Sequence, residues 1–205
     1  MGIFGDYAQR KPLEEKMRRE GRLPSGQSLT LKWPVLHYAG VPKFDPSTWE
    51  FRTSGLVENP LKLSWQEFQE LPRTEVTADF HCVTHWSKFD NRWEGVSFRE
   101  IAERTRPKPE SRFVLAHALE GYTTNVPLND LMEANVLFAM KHDGEALTPE
   151  HGGPLRLIVP KLYAWKSAKW VNGLEFQAEE HAGFWERNGY HIYGDPFKEQ
   201  RFDTD

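Results

Sequence analysis

Alternating apolar and polar side chains predict short strands in the first half of the chain. Residues 49–53 alternate with charged neighbours before Gly55, a pattern typical of a strand that ends in a turn. Residues 76–82 alternate in the same way and end at Cys82. This second strand therefore places the cysteine at its carboxyl end.

Helix signals are short and scattered. Ser64 with Glu67 and Ser97 with Glu100 each have the spacing of a capping box, in which a hydroxyl and a carboxylate satisfy the first backbone N–H groups. A third helix is predicted over residues 130–140. All three predicted helices are brief, so strands are expected to supply most of the framework.

Two further strands are predicted in the second half. Residues 113–119 are apolar on both faces apart from His117, which predicts a strand that is buried on both sides. Residues 156–159 form a buried strand that Pro160 ends. Short strands and short helices without regular βαβ alternation indicate the α+β class, with mixed β-sheets.

Charge and breaker residues divide the chain into two parts. Residues 8–22 alternate in charge without an apolar stripe, and Pro24, Ser25 and Gly26 follow as a breaker cluster, which predicts that residues 1–28 form a solvated N-terminal arm. Residues 29–205 show no repeat and no internal boundary. We therefore expect a single domain after the arm.

Composition excludes several classes of protein. The 205 residues have a net charge of −4, so no general basic surface exists to bind nucleic acid. No apolar run reaches the roughly 18 residues that cross a bilayer, and no secretion signal is visible. A single cysteine rules out an intrachain disulfide. We expect a cytoplasmic protein that does not bind membranes.

Cys82 is the first candidate for chemistry. It leaves a predicted strand into a polar segment over residues 83–92, which is predicted to be a loop, with His81 and His85 close by. A thiolate there is a metal ligand or a nucleophile, whereas a lone strand cysteine is otherwise a core residue. His117 is a satisfied core histidine unless Cys82 lies near it.

A basic segment over residues 151–173 is the second candidate. It contains four cations and no acid before Glu175, although the chain as a whole is acidic. Ammonium groups, a hydroxyl and backbone N–H groups there can bind one phosphate, and the adjacent glycines allow close approach of a ligand. The alternative is an ordinary solvated face. The cations are Arg156, Lys161, Lys166 and Lys169.

Three motifs together resemble the molybdopterin-binding domain of the sulfite oxidase superfamily, in particular its stand-alone prokaryotic members. They are DFHCVTHWSKFDNRWEGV around Cys82, EGYTTNVPL after His117, and HGGPLRLIVPKLYAWKSAKW. The similarity extends from about Leu31 to Phe202. It implies the sulfite-oxidase molybdopterin-binding fold and a molybdenum-pterin oxidoreductase.

The resemblance implies roles for individual residues. Cys82 matches the thiolate that binds molybdenum beside one pyranopterin, whose nucleotide form the sequence leaves open. KWPVLH, residues 32–37, is a loose match to a further pterin-contacting segment. The cofactor contacts implied by the motifs fall on His117, His151, Arg156, Lys166, Ser167, Ala168 and Lys169.

The chain also departs from the family pattern. Val83, Thr84, His85 and Trp86 follow the cysteine where sulfite oxidases have an arginine-rich stretch, which places the chain closer to the methionine sulfoxide reductase branch. The expected reaction is a two-electron redox step, oxygen-atom transfer on a small substrate. His85 and Arg92 are the predicted substrate-side groups, because a histidine carries protons and an arginine holds oxyanions.

Electrons are expected to pass to or from a separate partner, since no heme or flavin motif is visible. Two other functions stay open at this point. One is a cofactor-free cysteine enzyme that uses Cys82 with His85 or His117 as base. The other is a module that holds molybdopterin without turnover.

Overall fold

Eleven short strands form two sheets in the computed structural model, which describes residues 3–205 and their side chains from residue 10 onward. The helices are α1 Ile3–Arg19, α2 Trp65–Gln69, α3 Phe98–Thr105 and α4 Leu128–Leu131. The strands are β1 Ser28–Leu29, β2 Glu50–Gly55, β3 Lys62–Ser64, β4 Thr74–Cys82, β5 Trp86–Ser97, β6 Phe113–Ala118, β7 Thr123–Pro127, β8 Leu137–His142, β9 Glu145–Ala146, β10 Arg156–Ile158 and β11 Val171–Gln177. This is the α+β architecture with mixed sheets that the sequence predicts.

The first sheet carries the cysteine. Its path runs β1-β5-β8-β10, with β4 paired to β5 and β9 to β8. β4 and β5 form an antiparallel hairpin in which Cys82 lies opposite Trp86. β1 adds in parallel beside the first residues of β5, with Ser28 opposite Trp86. The N-terminal segment is therefore hydrogen-bonded next to the cysteine turn.

The second sheet has the order β3-β2-β11-β6-β7. β11 pairs in parallel with β2 and antiparallel with β6. The two sheets share one core, in which the rings of Phe51 from the second sheet and Phe138 from the first lie 5.3 Å apart. Burial of these aromatic and aliphatic side chains is the main stabilising term in the fold.

A second apolar cluster covers the other face of the first sheet. Along β8, Leu137 and Ala139 pack in this cluster, whereas Phe138 packs in the shared core. Both faces of β8 are therefore buried, which explains its continuous run of apolar residues. Cys82 belongs to the second cluster, together with Phe80, Trp93 and Ile158 among others.

Several predicted elements are confirmed. The strands that end at Gly55 and Cys82 are present, as is a strand that begins at Arg156. Ser64 and Glu67 form a reciprocal capping box, and the Ser97 side chain accepts a hydrogen bond from the Glu100 backbone.

Three predictions of local structure are wrong. The helix over 130–140 stops at Leu131, because Leu137–His142 pairs with β5 and β10 as a strand. The predicted polar loop up to Arg92 is mostly β5. β6 is buried on one face only, since Val114, Ala116 and Ala118 are buried, whereas its other face is half-exposed.

The N-terminal segment packs against the first sheet. Met17, Leu23 and Leu29 form a small buried cluster against Phe89. The Arg22 guanidinium donates two hydrogen bonds to the Asp79 carboxylate, at 2.9 and 2.6 Å. Residues 1–2 of the predicted arm lie outside the described residues. None of the helices described for residues 3–205 is long and apolar enough to cross a membrane.

Candidate active site

Cys82 occupies the end of β4, just before a three-residue turn. Its residue is 8% exposed, and its sulfur lies 3.1 Å from the Thr84 hydroxyl. The strand brings the thiol into the apolar cluster that also contains Ile158 of β10 and Ala164 of the loop after it. Burial without a partner histidine makes this thiol suited to binding a ligand that enters the cluster.

Arg156 begins β10 and is buried. Its guanidinium donates to the carbonyl oxygens of His151 at 3.0 Å and Ser167 at 3.3 Å, and it lies 4.9 Å from the Phe80 ring centre. Burial lowers the pKa of Arg156 to about 10, although the charge of the Cys82 thiolate acts to raise it. Within residues 10–205, no carboxylate forms an ion pair with this guanidinium.

The backbones of Lys169 and Arg156 pair as an isolated antiparallel β-bridge. Its ammonium donates to the carbonyl oxygens of Glu150 at 2.6 Å and Leu36 at 2.7 Å. Burial, together with the nearby Arg156 charge, lowers the pKa of Lys169 to about 7, and the Cys82 thiolate partly opposes this shift. Like Arg156, it has no carboxylate partner among the side chains described.

The two cations and the thiol therefore form one electrostatic group. A buried cation without a counter-ion is costly, and burial lowers the pKa of Arg156 and of the half-buried Lys169, where the charge of Glu150 opposes the shift only in part. An anionic ligand beside them would remove it. The arrangement supports a site that takes an anion next to a thiolate.

His151 closes this group on one side. Its ring stacks on the Trp33 indole, with the ring centres 3.9 Å apart, and its Nε2 lies 3.2 Å from the Trp33 carbonyl oxygen. Burial lowers the pKa of His151, and the charge of Arg156 adds to that shift. The next residue, Gly152, has φ +103°, and a Cβ there would lie 2.9 Å from the Lys169 side chain. Glycine is therefore required for Lys169 to pass.

Ser167 and Ala168 shape the loop without presenting side chains outward. The Ser167 hydroxyl accepts a hydrogen bond from the Val159 N–H at 2.9 Å, and the Ala168 carbonyl accepts one from the Leu157 N–H at 2.9 Å. Both residues are buried. They fix the loop between Arg156 and Lys169.

Lys166 is separated from this group. Its side chain is fully buried and its ammonium lies 2.5 Å from Glu186, with the Asn125 side-chain oxygen at 2.8 Å and the Ile192 carbonyl oxygen at 2.6 Å. These oxygens occupy its donors. The arrangement gives Lys166 a structural ion pair and does not support the predicted phosphate contact.

The other predicted residues are dispersed. His117 lies on the second sheet, where its Nε2 is 3.2 Å from Glu175. His85 is exposed, and its Nδ1 lies 2.8 Å from the Gly26 carbonyl oxygen. Arg92 is exposed on β5, six residues beyond Trp86, which pairs with Cys82. Six strand residues span about 20 Å, so the structure does not bring Arg92 to the cysteine.

Four residues near the thiol were not predicted to act there. Trp33 lies within the loosely matched segment 32–37, which was the one usable signal. Thr84 was named in the cysteine motif without a role. Gln27, whose side-chain amide donates to the Cys82 carbonyl at 2.9 Å, and Tyr190, whose pKa is raised by burial and then by the Cys82 charge, gave no sequence signal.

Comparison with known families agrees with the motifs. The profile of the family described as "oxidoreductase molybdopterin binding domain" matches residues 38–185. An uncharacterized oxidoreductase of Bacillus subtilis, YuiH, is 50% identical over 188 residues, which are 91% of this chain and 95% of that protein. The match therefore covers almost the whole length of that relative.

More distant relatives are longer. The catalytic subunit of the protein-methionine-sulfoxide reductase of Campylobacter jejuni is 29% identical, over 74% of this chain and 56% of that protein. The sulfite oxidase of Arabidopsis thaliana is 28% identical, over 68% of this chain and 44% of that protein.

A solved structure shares the fold. The sulfane dehydrogenase SoxCD from Paracoccus pantotrophus superposes with a TM-score of 0.65 at 24% identity, over 75% of this chain and 43% of that one. At this identity the likeness concerns the fold alone.

Proposed function

The chain belongs to the oxidoreductase molybdopterin-binding domain family, and we propose that it is a molybdenum-pterin oxidoreductase in which the Cys82 thiolate binds the metal. One observation carries this proposal. The buried thiol lies within electrostatic reach of Arg156 and Lys169, two cations that have no carboxylate partner among the described side chains.

The donor set fits the proposed cofactor. A thiolate is a soft ligand and suits molybdenum. No cluster of three or more histidine, cysteine or carboxylate side chains that could hold a metal occurs in residues 10–205. A metal at Cys82 must therefore bring its other ligands with it, as a pterin dithiolene does. When bound, the molybdenum-pterin group supplies two-electron redox chemistry, which we assign to oxygen-atom transfer on a small substrate.

The cations are proposed to bind the anionic part of the cofactor. Arg156 and Lys169 offer charged donors, each worth about 1.5–3 kcal/mol in a charge-assisted bond. His151 adds an imidazole held by Trp33, and Ser167 and Ala168 fix the loop that carries Lys169. His117, on the second sheet, is retained as a proposed pterin contact. Lys166 is proposed to stabilise the loop through Glu186.

Substrate contacts are proposed for His85 alone of the two predicted residues. Its exposed ring lies three residues after Cys82, where a proton carrier would be useful. Arg92 is excluded from the proposal by its distance along β5. Electron exchange with a separate partner is part of the proposal, since no heme or flavin motif is visible in the sequence.

Sulfoxides are the first substrate class to test. One relative is a methionine-sulfoxide reductase subunit, and residues 83–86 differ from the arginine-rich stretch expected for sulfite. N-oxides and sulfite complete the screen, the latter because another relative is a sulfite oxidase.

The cofactor-free cysteine enzyme is less well supported by the geometry. Such an enzyme needs a base within hydrogen-bond reach of the thiol. The Cys82 sulfur lies within hydrogen-bond distance of the Thr84 hydroxyl, while His85 faces Gly26 and His117 pairs with Glu175. The module without turnover differs only in the redox activity of the bound metal.

The test combines metal analysis with a cysteine variant. Protein made in a host that synthesises the cofactor is expected to hold molybdenum near one per chain and to show a redox-responsive Mo(V) resonance. Cys82→Ser is expected to lose turnover and the spectroscopic signature of the molybdenum–sulfur bond while it stays folded. Thr105→Val, at the buried end of α3, serves as the control. Absence of molybdenum, or unchanged turnover of Cys82→Ser, would reject the proposal; a redox-silent metal would favour the holding module.

A further inference from the structure

We propose that Gln27 and Arg201, which come from opposite ends of the chain, are positioning residues that hold the turn after Cys82 and thereby fix its sulfur. The consequence for the metal rests on the proposed function. The restraint of the cysteine turn by these two side chains rests on their hydrogen bonds alone.

Gln27 approaches the turn from the N-terminal segment. It is 2% exposed, and its side-chain amide donates to the Cys82 carbonyl oxygen at 2.9 Å. The Arg18 guanidinium donates to the Gln27 carbonyl at 3.2 Å, and the next residue pairs with Trp86 in β1. Gln27 is therefore anchored on both sides before it reaches the cysteine.

Arg201 approaches the same turn from the C-terminal tail. It is 6% exposed, and its guanidinium donates to the Val83 carbonyl oxygen at 2.7 Å and to that of Gly26 at 3.5 Å. The guanidinium also lies 5.1 Å from the centre of the Tyr163 ring. One side chain thus joins the cysteine turn, the N-terminal segment and the loop that precedes Lys166.

Two consecutive carbonyls of the cysteine turn are therefore held by buried side chains from outside the hairpin. The donor of the Cys82 carbonyl lies 55 residues away in sequence, and that of Val83 lies 118 away. His85 links the turn to the N-terminal segment as well, because its Nδ1 lies 2.8 Å from the Gly26 carbonyl oxygen that Arg201 also approaches. Restraint of adjacent peptide units limits the direction in which the Cys82 side chain can point.

Gln27 and Arg201, together termed the clamp, lie outside the part of the chain that matches the family profile. That match covers residues 38–185, and neither Gln27 nor Arg201 falls within it. Cys82 falls inside it. Both side chains therefore act on the backbone of the proposed metal ligand from outside the segment that the profile matches.

A single cysteine allows a direct test on the full-length protein. Because Cys82 is the only thiol, its alkylation rate by iodoacetamide reports one site. The measurement uses protein made without cofactor synthesis, so that no metal protects the sulfur. The variants are Gln27→Met and Arg201→Met, which remove the donors, and Arg201→Lys, which keeps the charge and one donor.

The matched control is Thr105→Val. Thr105 is fully buried at the end of α3 and is hydrogen-bonded to Thr53 of the second sheet. It lowers stability without touching Cys82. Both clamp variants are expected to raise the alkylation rate at least about fivefold, the factor that corresponds to one hydrogen bond of about 1 kcal/mol. Arg201→Lys should fall between them and the wild type, and Thr105→Val should leave the rate unchanged.

The results that would contradict this inference differ from those that would contradict the proposed function. Wild-type alkylation rates in both clamp variants would overturn it, as would an equal rise in Thr105→Val. If either methionine variant fails to fold, the other variant and Arg201→Lys decide. In loaded enzyme, the g-values of the Mo(V) resonance should shift in clamp variants and not in the control. If Cys82→Ser keeps its metal, the ligand assignment fails, while the alkylation result still decides the clamp.

Discussion

The imidazole of His151 stacks on the indole of Trp33 at 3.9 Å between ring centres, and the same ring is tied to the Trp33 backbone oxygen. The indole also packs on His142, whose ring centre is 4.2 Å away. Burial lowers the pKa of His142 to about 4, and it also lowers the pKa of His151. The segment 32–37 is thereby joined to the basic segment that carries Arg156.

Trp33→Ala is expected to raise the pKa of His151 towards its ordinary value. Burial is the main cause of the lowered pKa, and removal of the indole exposes the ring. The half-buried indole should also cost about 2 kcal/mol in stability when it is lost. An NMR titration of the His151 C2 proton measures the shift, and Trp33→Phe, which keeps a stacking ring, should retain most of it. An unchanged titration in Trp33→Ala would contradict this account.

The stability of the cofactor-free protein should rise with pH above 7. Lys169 has a pKa of about 7 when folded, whereas an unfolded lysine has one near 10.4. Between these two pKa values the unfolded chain binds more protons than the folded protein. The free energy of unfolding therefore rises with pH by at most about 1.4 kcal/mol per pH unit. Below pH 7 both states carry the proton and this contribution is flat.

Urea unfolding between pH 6 and 9.5 measures this slope. Lys169→Met removes the titrating group, so the difference between the wild type and the variant should grow with pH over that window. Subtracting the free energy of unfolding of the variant from that of the wild type also cancels the contribution of other groups that titrate near pH 10. A difference that stays constant would show that Lys169 has an ordinary pKa.

Lys169→Glu should reduce cofactor occupancy at least about tenfold, because it replaces a charge-assisted bond of 1.5–3 kcal/mol with repulsion. Pterin fluorescence after acid oxidation measures the occupancy per chain. Lys198→Glu makes the same charge change on an exposed side chain in the tail and should leave occupancy unaltered. Equal loading of both variants would remove the proposed anion site.

Local patterns predicted much of the framework and the cysteine's place in it. Alternation located the strand that ends at Cys82, and the Ser64–Glu67 spacing located a helix start, since both depend on near neighbours in sequence. Leu137–His142 escaped prediction because a strand buried on both faces loses its alternation and looks like a helix segment.

Long-range partners decided what the sequence left open in the site. Lys166 and Lys169 look equivalent in the sequence, yet the first forms an ion pair with Glu186, whereas the second donates its hydrogen bonds to carbonyl oxygens. Gln27 reaches Cys82 only because β1 pairs with the start of β5. Such pairings follow from sheet topology, which periodicity within one segment does not contain.

Lys166 and Glu186 form a buried ion pair. Lys166→Met leaves a buried carboxylate without its counter-ion, which should cost about 3–5 kcal/mol in the free energy of unfolding. Glu186 also accepts hydrogen bonds from Thr124 at 2.9 Å and Trp165 at 3.2 Å. The double variant Lys166→Met with Glu186→Gln keeps an acceptor for both and removes the charge, so it should recover a large part of the loss. Urea unfolding of the three proteins measures these differences. If Lys166→Met instead keeps wild-type stability but loses pterin, Lys166 binds the cofactor phosphate and the structural assignment is wrong.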